Sequence, residues 1–252
     1  MHLPRGRTLE ELPEKPIWLL KKAVEAFYKK QYTKAKWLAF VVYVCHPNNY
    51  FAVCWYANCL YFSPSYTGSH KDHRAAAFYE KAVKIEPSHP LAHAGLGRIH
   101  YSNVIQIVRD YRIFPGGSSA MFADEYDPDR KKDLLNVGGF ADTRCGNRNI
   151  AIRELEKAAE ITKDPEEKVE LLCMAAEIRT YKSNRMGIDA FKHILDIDPH
   201  CVPAHFHLAG YYAATNQHEQ SLKEYEFVRQ NAPELASKLV EIIQQYGVDP
   251  NL

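Results

Sequence analysis

Residues 187–199 read GIDAFKHILDIDP, and residues 221–233 read SLKEYEFVRQNAP. Both segments begin with a small residue, followed by apolar residues four and seven positions later and by a proline at the end. Apolar residues spaced by three and four lie on one face of a helix, and proline interrupts helical hydrogen bonding. Each segment is therefore predicted to form one helix. The matching positions lie 34 residues apart: Gly187, Phe191, Ile194 and Pro199 recur as Ser221, Tyr225, Val228 and Pro233.

A second set of residues repeats at the same step and precedes these helices. Its members are Leu171, Met174, Ala175 and Ile178, which recur as His205, Leu208, Ala209 and Tyr212. Their spacing predicts another helix in each period, so one unit holds two helices. Small residues such as Ala175 and Ala209 allow the two antiparallel helices to approach closely.

This 34-residue unit resembles the tetratricopeptide repeat, a helix–turn–helix unit. The resemblance implies an all-α fold: a right-handed α-solenoid of about five such repeats, closed by a C-terminal capping helix. One pair of helices cannot bury its apolar face, so the units are expected to stack on one another. The resemblance extends over roughly 190 of the 252 residues.

The third repeat is expected to contain a long insertion. Gly97 and Ala151 lie 54 residues apart, whereas the corresponding Ala175 and Gly187 lie 12 apart, so 42 residues are inserted at about 104–145. A loop of this length is commonly functional or disordered. The predicted segments are an extended arm 1–15, repeats 16–47, 48–87, 88–165, 166–199 and 200–233 within a solenoid 16–247, a capping helix 234–247 and a tail 248–252.

Composition excludes several classes of function. Lys and Arg number 32 and Asp and Glu 31, so no global field attracts nucleic acid or an anionic membrane. The longest apolar run, Trp37–Cys45, is too short to span a bilayer. The first residues lack the apolar core of a signal peptide, and the six cysteines lie mostly in helical patterns. We expect free thiols in a reducing, cytoplasmic setting, or alternatively in a nucleus or organelle matrix as part of a complex.

The resemblance also implies a binding surface. First helices of successive tetratricopeptide repeats line a concave groove that accepts a peptide or a helix, and here its N-terminal end is aromatic. Alternatively, the arm or the insertion covers these aromatic residues, or a shifted register places them in the core. The clamp for chaperone C-terminal carboxylates is absent, because Leu20 and Val24 occupy its first positions. The predicted groove residues are Phe27, Tyr28, Trp55, Asn58, Tyr61, Phe62, Arg98, Tyr101, Arg179, Phe206 and His207.

A second interface is predicted on the apolar run Trp37–Cys45. This run is apolar on every face of a helix, although a second helix of this fold normally keeps one face in water. A partner or a second copy, the chain's own arm, or a membrane surface would cover it. The residues concerned are Trp37, Phe40, Val41 and Val44.

No motif indicates catalysis, a metal or a cofactor. His205 and Cys201 are four apart and could share a metal, but a further ligand and a CxxC pair are missing. The acidic run 124–129 lacks the glycine and the distal glutamate of a calcium loop, and the Gly-Gly pairs lack the context of a phosphate loop. We therefore expect no catalytic, metal or cofactor residues.

The predicted function is protein–protein interaction, as a non-catalytic adaptor or scaffold that binds one or more proteins through the aromatic groove. No nucleic acid and no membrane span are expected, and self-association or a stable complex is an open outcome. The main alternative is a stoichiometric structural or assembly subunit with the insertion as its docking arm. A metal- or ligand-dependent enzyme, with the insertion as a lid, is the less favoured alternative.

Overall fold

A computed structural model describes residues 18–63, 69–110, 148–180 and 184–249. The predicted arm 1–15, residues 111–145 of the predicted insertion and the last three residues lie outside this part of the chain. The residues described form eleven helices and turns. The helices are α1 Trp18–Tyr28, α2 Tyr32–Cys45, α3 Tyr50–Phe62, α4 Ser69–Ile85, α5 Pro90–Asp110, α6 Arg148–Ile161, α7 Pro165–Thr180, α8 Asn184–Ile197, α9 Val202–Ala214, α10 His218–Asn231 and α11 Pro233–Gln244.

The helix ends follow the 34-residue step seen in the sequence. Helices α8 and α10 begin 34 residues apart, at Asn184 and His218, and α7 and α9 end 34 apart, at Thr180 and Ala214. Pro233 is the first residue of α11, where its missing N–H costs no hydrogen bond. The predicted all-α fold of helix–turn–helix repeats is confirmed.

The chain divides into two compact units. Among the described residues, the first unit holds 18–100 and 148–167, and the second holds 101–110, 168–180 and 184–249. The segment boundaries predicted from the sequence, including the insertion 104–145, stay a proposal. Helix α5 continues to Asp110, seven residues into that segment.

The first unit is built on α1 to α4, which pack in succession, with α1 also against α3. Its core is rich in aromatic side chains, among them Phe27, Tyr56 and Tyr79. The hydroxyl of Tyr79 donates a hydrogen bond to Oδ1 of the buried Asn58. A Cβ on Gly95 of α5 would lie 2.3 Å from the Tyr79 ring, so this position requires glycine.

The second unit packs α8 against α9, α9 against α10, and α11 against both α9 and α10. Ser221 Oγ donates to the carbonyl of Ala209 at 2.8 Å, which ties the start of α10 to the middle of α9. Leu239 and Ile243 of α11 are fully buried against the Ala209 and Val228 side of this pair. Helix α11 therefore closes the last apolar face, as a capping helix does.

We expect Gly95→Ala to lower the free energy of unfolding by about 1–2 kcal/mol, because the added methyl group overlaps a buried tyrosine that cannot move without losing its hydrogen bond. The matched control is Gly210→Ala in α9, whose Cβ would meet only Ile242 at an ordinary 3.6 Å. That change should stabilise the protein by about 0.5–1 kcal/mol through helix propensity. Urea unfolding of both variants tests the contrast, and equal effects at the two glycines would contradict it.

Candidate functional site

Two aromatic residues that were predicted to line the groove, Phe27 and Trp55, lie in the core instead. Phe27 is fully buried and packs edge-to-face against Tyr32, Trp55 and Phe62. Trp55 keeps only 7% of its surface exposed. The prediction that these two side chains line an open groove is corrected: they hold α1 and α3 together. The alternative raised above, that the aromatic residues belong to the core, applies to them.

The remaining groove residues of the first unit lie closer to its surface, except for one. Asn58 is buried and accepts the hydrogen bond from Tyr79, so its predicted contact with a partner is also corrected. Tyr61 and Phe62 are half-buried, and Tyr28 is exposed. Arg98 reaches Glu167 at 3.9 Å.

The groove residues of the second unit are engaged with their neighbours. The hydroxyl of Tyr101 in α5 donates a hydrogen bond to Glu177 Oε2 in α7 at 2.5 Å. Arg179, two residues after Glu177 in α7, is half-buried. The ring of His207 stacks on Phe191, and burial lowers the pKa of this histidine. Phe206 is half-buried beside it. As a partner-binding surface, the groove stays a prediction.

A pair of histidine–glutamate contacts was not predicted from the sequence. His93 Nδ1 lies 2.6 Å from Glu154 Oε2, and its Nε2 lies 2.9 Å from the carbonyl of Pro87. Both ring nitrogens face acceptors, so the protonated imidazole satisfies both. The hydrogen bond to Glu154 raises the pKa of His93. Burial alone would raise the pKa of Glu154, but hydrogen bonds from His93 and Arg153 lower it.

The second unit contains the same arrangement. His205 Nδ1 lies 2.5 Å from Glu224 Oε2, and Nε2 lies 3.0 Å from the carbonyl of Pro199. Both ring nitrogens of His205 are already engaged. Neither nitrogen is therefore available to bind the metal ion that His205 and Cys201 could have shared. One sequence signal could have revealed the contacts, since each histidine follows a repeat-boundary proline by six residues. The two partners are 61 residues apart in one contact and 19 in the other, and the difference of 42 equals the length predicted for the insertion.

The outer face of α2 is the most exposed apolar feature among the described residues. Trp37 is 63% exposed, and Phe40, Val41 and Val44 are exposed as well. Their spacing of three, four and seven aligns them in one stripe along the helix. The inner face holds the smaller Ala35, Ala39 and Val42, all buried. We call these four exposed side chains the α2 stripe.

The corresponding positions of the other second helices are mostly charged. Counting from the buried small residue that opens each second helix, Trp37 matches Asp189 in α8 and Lys223 in α10. Phe40 likewise matches Lys192 and Glu226. The hairpin fold therefore does not require apolar residues at these positions. The full sets are Ala77, Glu80, Lys81 and Lys84 in α4; Arg153, Glu156, Lys157 and Glu160 in α6; Asp189, Lys192, His193 and Asp196 in α8; and Lys223, Glu226, Phe227 and Gln230 in α10.

The helical hairpin that carries the α2 stripe is basic. Residues 18–49 hold six lysines and one acidic residue, Glu25. Lys29 and Lys30 are exposed in the turn before α2, and exposed Lys34 lies one helical turn before Trp37. The stripe thus joins apolar contact area to local positive charge, although the whole chain is nearly neutral. Of the described helices, none combines the length and apolar composition that a bilayer crossing requires.

Comparison with known proteins relates the fold to solved structures. No protein-family model matches the chain, and no curated protein matches its sequence. A MamA RS-1 double mutant superposes with a TM-score of 0.58 at 12% identity, covering 87% of this chain and 95% of that one. A crystal structure of MamA gives 0.55 at 12% identity, covering 87% and 93%. TTC0263, a thermophilic TPR protein of Thermus thermophilus, gives 0.49 at 15% identity, covering 90% and 97%. The two MamA structures share the helical-repeat fold of this chain.

We expect the two tryptophans to respond differently to truncation. Trp55→Ala should lower the free energy of unfolding by about 3–5 kcal/mol, because it leaves a cavity beside Phe27. Trp37→Ala should change it by less than about 0.5 kcal/mol, because that indole lies largely in water. Denaturant unfolding of both variants is the measurement. A strongly destabilised Trp37 variant would mean that other parts of the chain cover the stripe.

The contact between His93 and Glu154 should contribute to stability in a defined pH window. A histidine with a raised pKa stabilises the fold below its unfolded pKa and loses that contribution as pH rises through its folded pKa. A glutamate with a lowered pKa stabilises the fold above its unfolded pKa and loses that contribution as pH falls through its folded pKa. Glu154→Gln should therefore cost about 1–3 kcal/mol near pH 5.5 and less near pH 9. Unfolding at both pH values measures the difference.

The control for this experiment is Glu160→Gln on the same helix. Glu160 pairs with Lys157 at 3.0 Å, but both side chains are exposed. Its loss should change stability by no more than about 0.5 kcal/mol at either pH. Equal pH profiles for the wild type and the Glu154 variant would show that the buried contact does not titrate with folding.

Proposed function

We propose that this protein is a non-catalytic adaptor or scaffold that docks a protein partner on the α2 stripe. One observation carries the proposal: four large apolar side chains are aligned and exposed where the other second helices carry mostly charged residues. The fold is that of stacked helical hairpins, which suits this role. The half-buried Tyr61 and Phe62 and the exposed Tyr28 stay candidates for a further contact.

The chemistry of the stripe supports a docking role. A tryptophan and a phenylalanine supply large apolar area with few rotatable bonds, as interface anchors do. Burying the part of each side chain that is still exposed would contribute about 0.5–2 kcal/mol before the costs of association. Trp37 and Phe40 already contact each other edge-to-face, with ring centroids 6.1 Å apart, so the surface is partly organised before a partner binds.

The partner that fits is an amphipathic helix with acidic residues beside its apolar face. The stripe spans two helical turns, roughly 10 Å, which matches an apolar face of the same spacing. The six lysines of residues 18–49 complement negative charge on that helix. The same charge disfavours a second copy, because pairing two identical stripes would bring two basic hairpins together.

The test is site-specific photo-crosslinking in the protein's native source. Phe40 is replaced by p-benzoylphenylalanine in the full chain, and Glu226, its counterpart on α10, is replaced in a matched control. We expect cross-linking at position 40 and not at position 226. The cross-linked peptide should have apolar residues at helical spacing and a net negative charge. Constant stoichiometry would favour the assembly-subunit alternative, and a varied partner set would favour an adaptor.

Three outcomes would overturn the proposal. Attachment of position 40 to residues 1–15 of the same chain would mean internal cover, attachment to α2 of another copy would mean self-association, and attachment to lipid would mean membrane contact. Trp37→Ala should weaken binding of the synthesised, cross-linked segment at least tenfold. Lys34→Glu should weaken binding and reduce its salt dependence, whereas Lys223→Glu on α10 should change neither.

A further inference from the structure

Two cysteines of the second unit lie in contact. Cys173 lies in α7, and Cys201 is the residue that precedes the first turn of α9. Their Sγ atoms are 3.7 Å apart, and both thiols are free. The other cysteines described are Cys45, Cys54 and Cys59, of which the first is exposed and the other two are buried in the first unit.

The surroundings of the two sulfurs differ in a way that suits reaction between them. The hydrogen bond from the Cys173 thiol, helped by the Ala204 amide and by His205, lowers the pKa of Cys201. Cys201 also lies at the N-terminus of a 13-residue helix, where the helix dipole favours negative charge. The same contact and burial raise the pKa of Cys173. Cys201 is thus the more readily ionised of the two thiols and the one better suited to attack an oxidant.

We propose that Cys173 and Cys201 form a redox modification site, a dithiol that a hydroperoxide converts to a disulfide. In the first step the Cys201 sulfur attacks the terminal oxygen of the peroxide. The O–O bond breaks, the leaving oxygen takes up a proton, and a sulfenic acid remains on Cys201. In the second step the Cys173 sulfur attacks the Cys201 sulfur. The S–O bond breaks, and the thiol proton leaves with the hydroxide as water.

One molecule of hydrogen peroxide is enough to balance the atoms and electrons of the reaction. The two thiols lose two electrons and two protons, and the peroxide is reduced to two molecules of water. Cys173 is half-buried, which gives a small oxidant a route to the pair. A rotation about the side-chain bonds is needed to close the 3.7 Å separation, because a disulfide requires about 2 Å.

Oxidation would change the mechanics of the second unit. The disulfide would connect α7 directly to the start of α9, across the 28 residues that include α8. These helices belong to successive repeats, so their relative position would be fixed covalently. Closing a loop of this length restricts the unfolded chain and raises thermal stability. A cell under oxidative conditions would thus hold a stiffer second unit than one under reducing conditions.

The experiment treats the folded, full-length protein with hydrogen peroxide and maps its peptides without reduction. We expect one new cross-link that joins the peptides of Cys173 and Cys201, reversed by dithiothreitol, and a midpoint of thermal unfolding that rises by several degrees. In the Cys173→Ser variant the sulfenic acid has no thiol partner. Cys201 should then be trapped by dimedone, and the rise in the midpoint should be lost.

Cys45→Ser is the control, because it removes an exposed thiol far along the sequence from the pair. It should leave the Cys173–Cys201 cross-link unchanged. Oxidation of Cys45 without any cross-link between Cys173 and Cys201 would overturn the proposal. So would dimedone labelling of Cys201 in the wild type that is as strong as in the Cys173→Ser variant, because the second step would then not occur. A Cys201→Ser variant that folds and still links Cys173 to another cysteine would also contradict it.

Discussion

The close approach of two helices within each hairpin is the constraint on which the rest of the structure depends. The first half of each second helix holds a small, buried residue at this position in every repeat described: Ala35, Ala75, Ala151, Gly187 and Ser221. A Cβ on Gly187 would lie 2.3 Å from Thr180, which leaves no room for a side chain. Ser221 is tolerated because its hydroxyl finds the carbonyl of Ala209. Where the backbones meet this closely, larger apolar residues on the flanking turns can seal the core.

This constraint explains why the fold was predictable from the sequence. The small residue allows the backbones to approach, the apolar spacing forms the buried face, and the proline ends the helix. These residues recur together at a fixed step that a single sequence displays. The groove was less predictable, because neighbouring helix positions differ by about 100° in direction. Phe27 and Tyr28 are adjacent in sequence, yet the first is in the core and the second is exposed. Without the packing of α1 on α3, periodicity does not separate the two.

The histidine–glutamate contacts show a different limit. His93 in α5 and Glu154 in α6 are 61 residues apart in the sequence, and they meet only because the two helices lie side by side in the fold. No local pattern connects them, but the offset of His93 from Pro87 equals that of His205 from Pro199. Two polar residues that keep their place in a repeat, against a background of apolar positions, indicate a paired buried contact. Repeats that lack the histidine also lack the glutamate: Val53 and Leu171 occupy the histidine position, and Phe78 and Ala190 occupy the glutamate position.

The α2 stripe is the clearest feature that folding does not account for. The inner face of α2 meets the demands of the hairpin with Ala35, Ala39 and Val42. The outer face of α10 shows that the same demands are compatible with Lys223 and Glu226. Trp37 is 63% exposed and contributes little to the hairpin, whereas Phe40 also packs against the ring of Tyr56 in α3. Exposed apolar area of this kind favours association. Because the lysines of the same hairpin oppose pairing with a second copy, the partner that we propose for this surface is an acidic one.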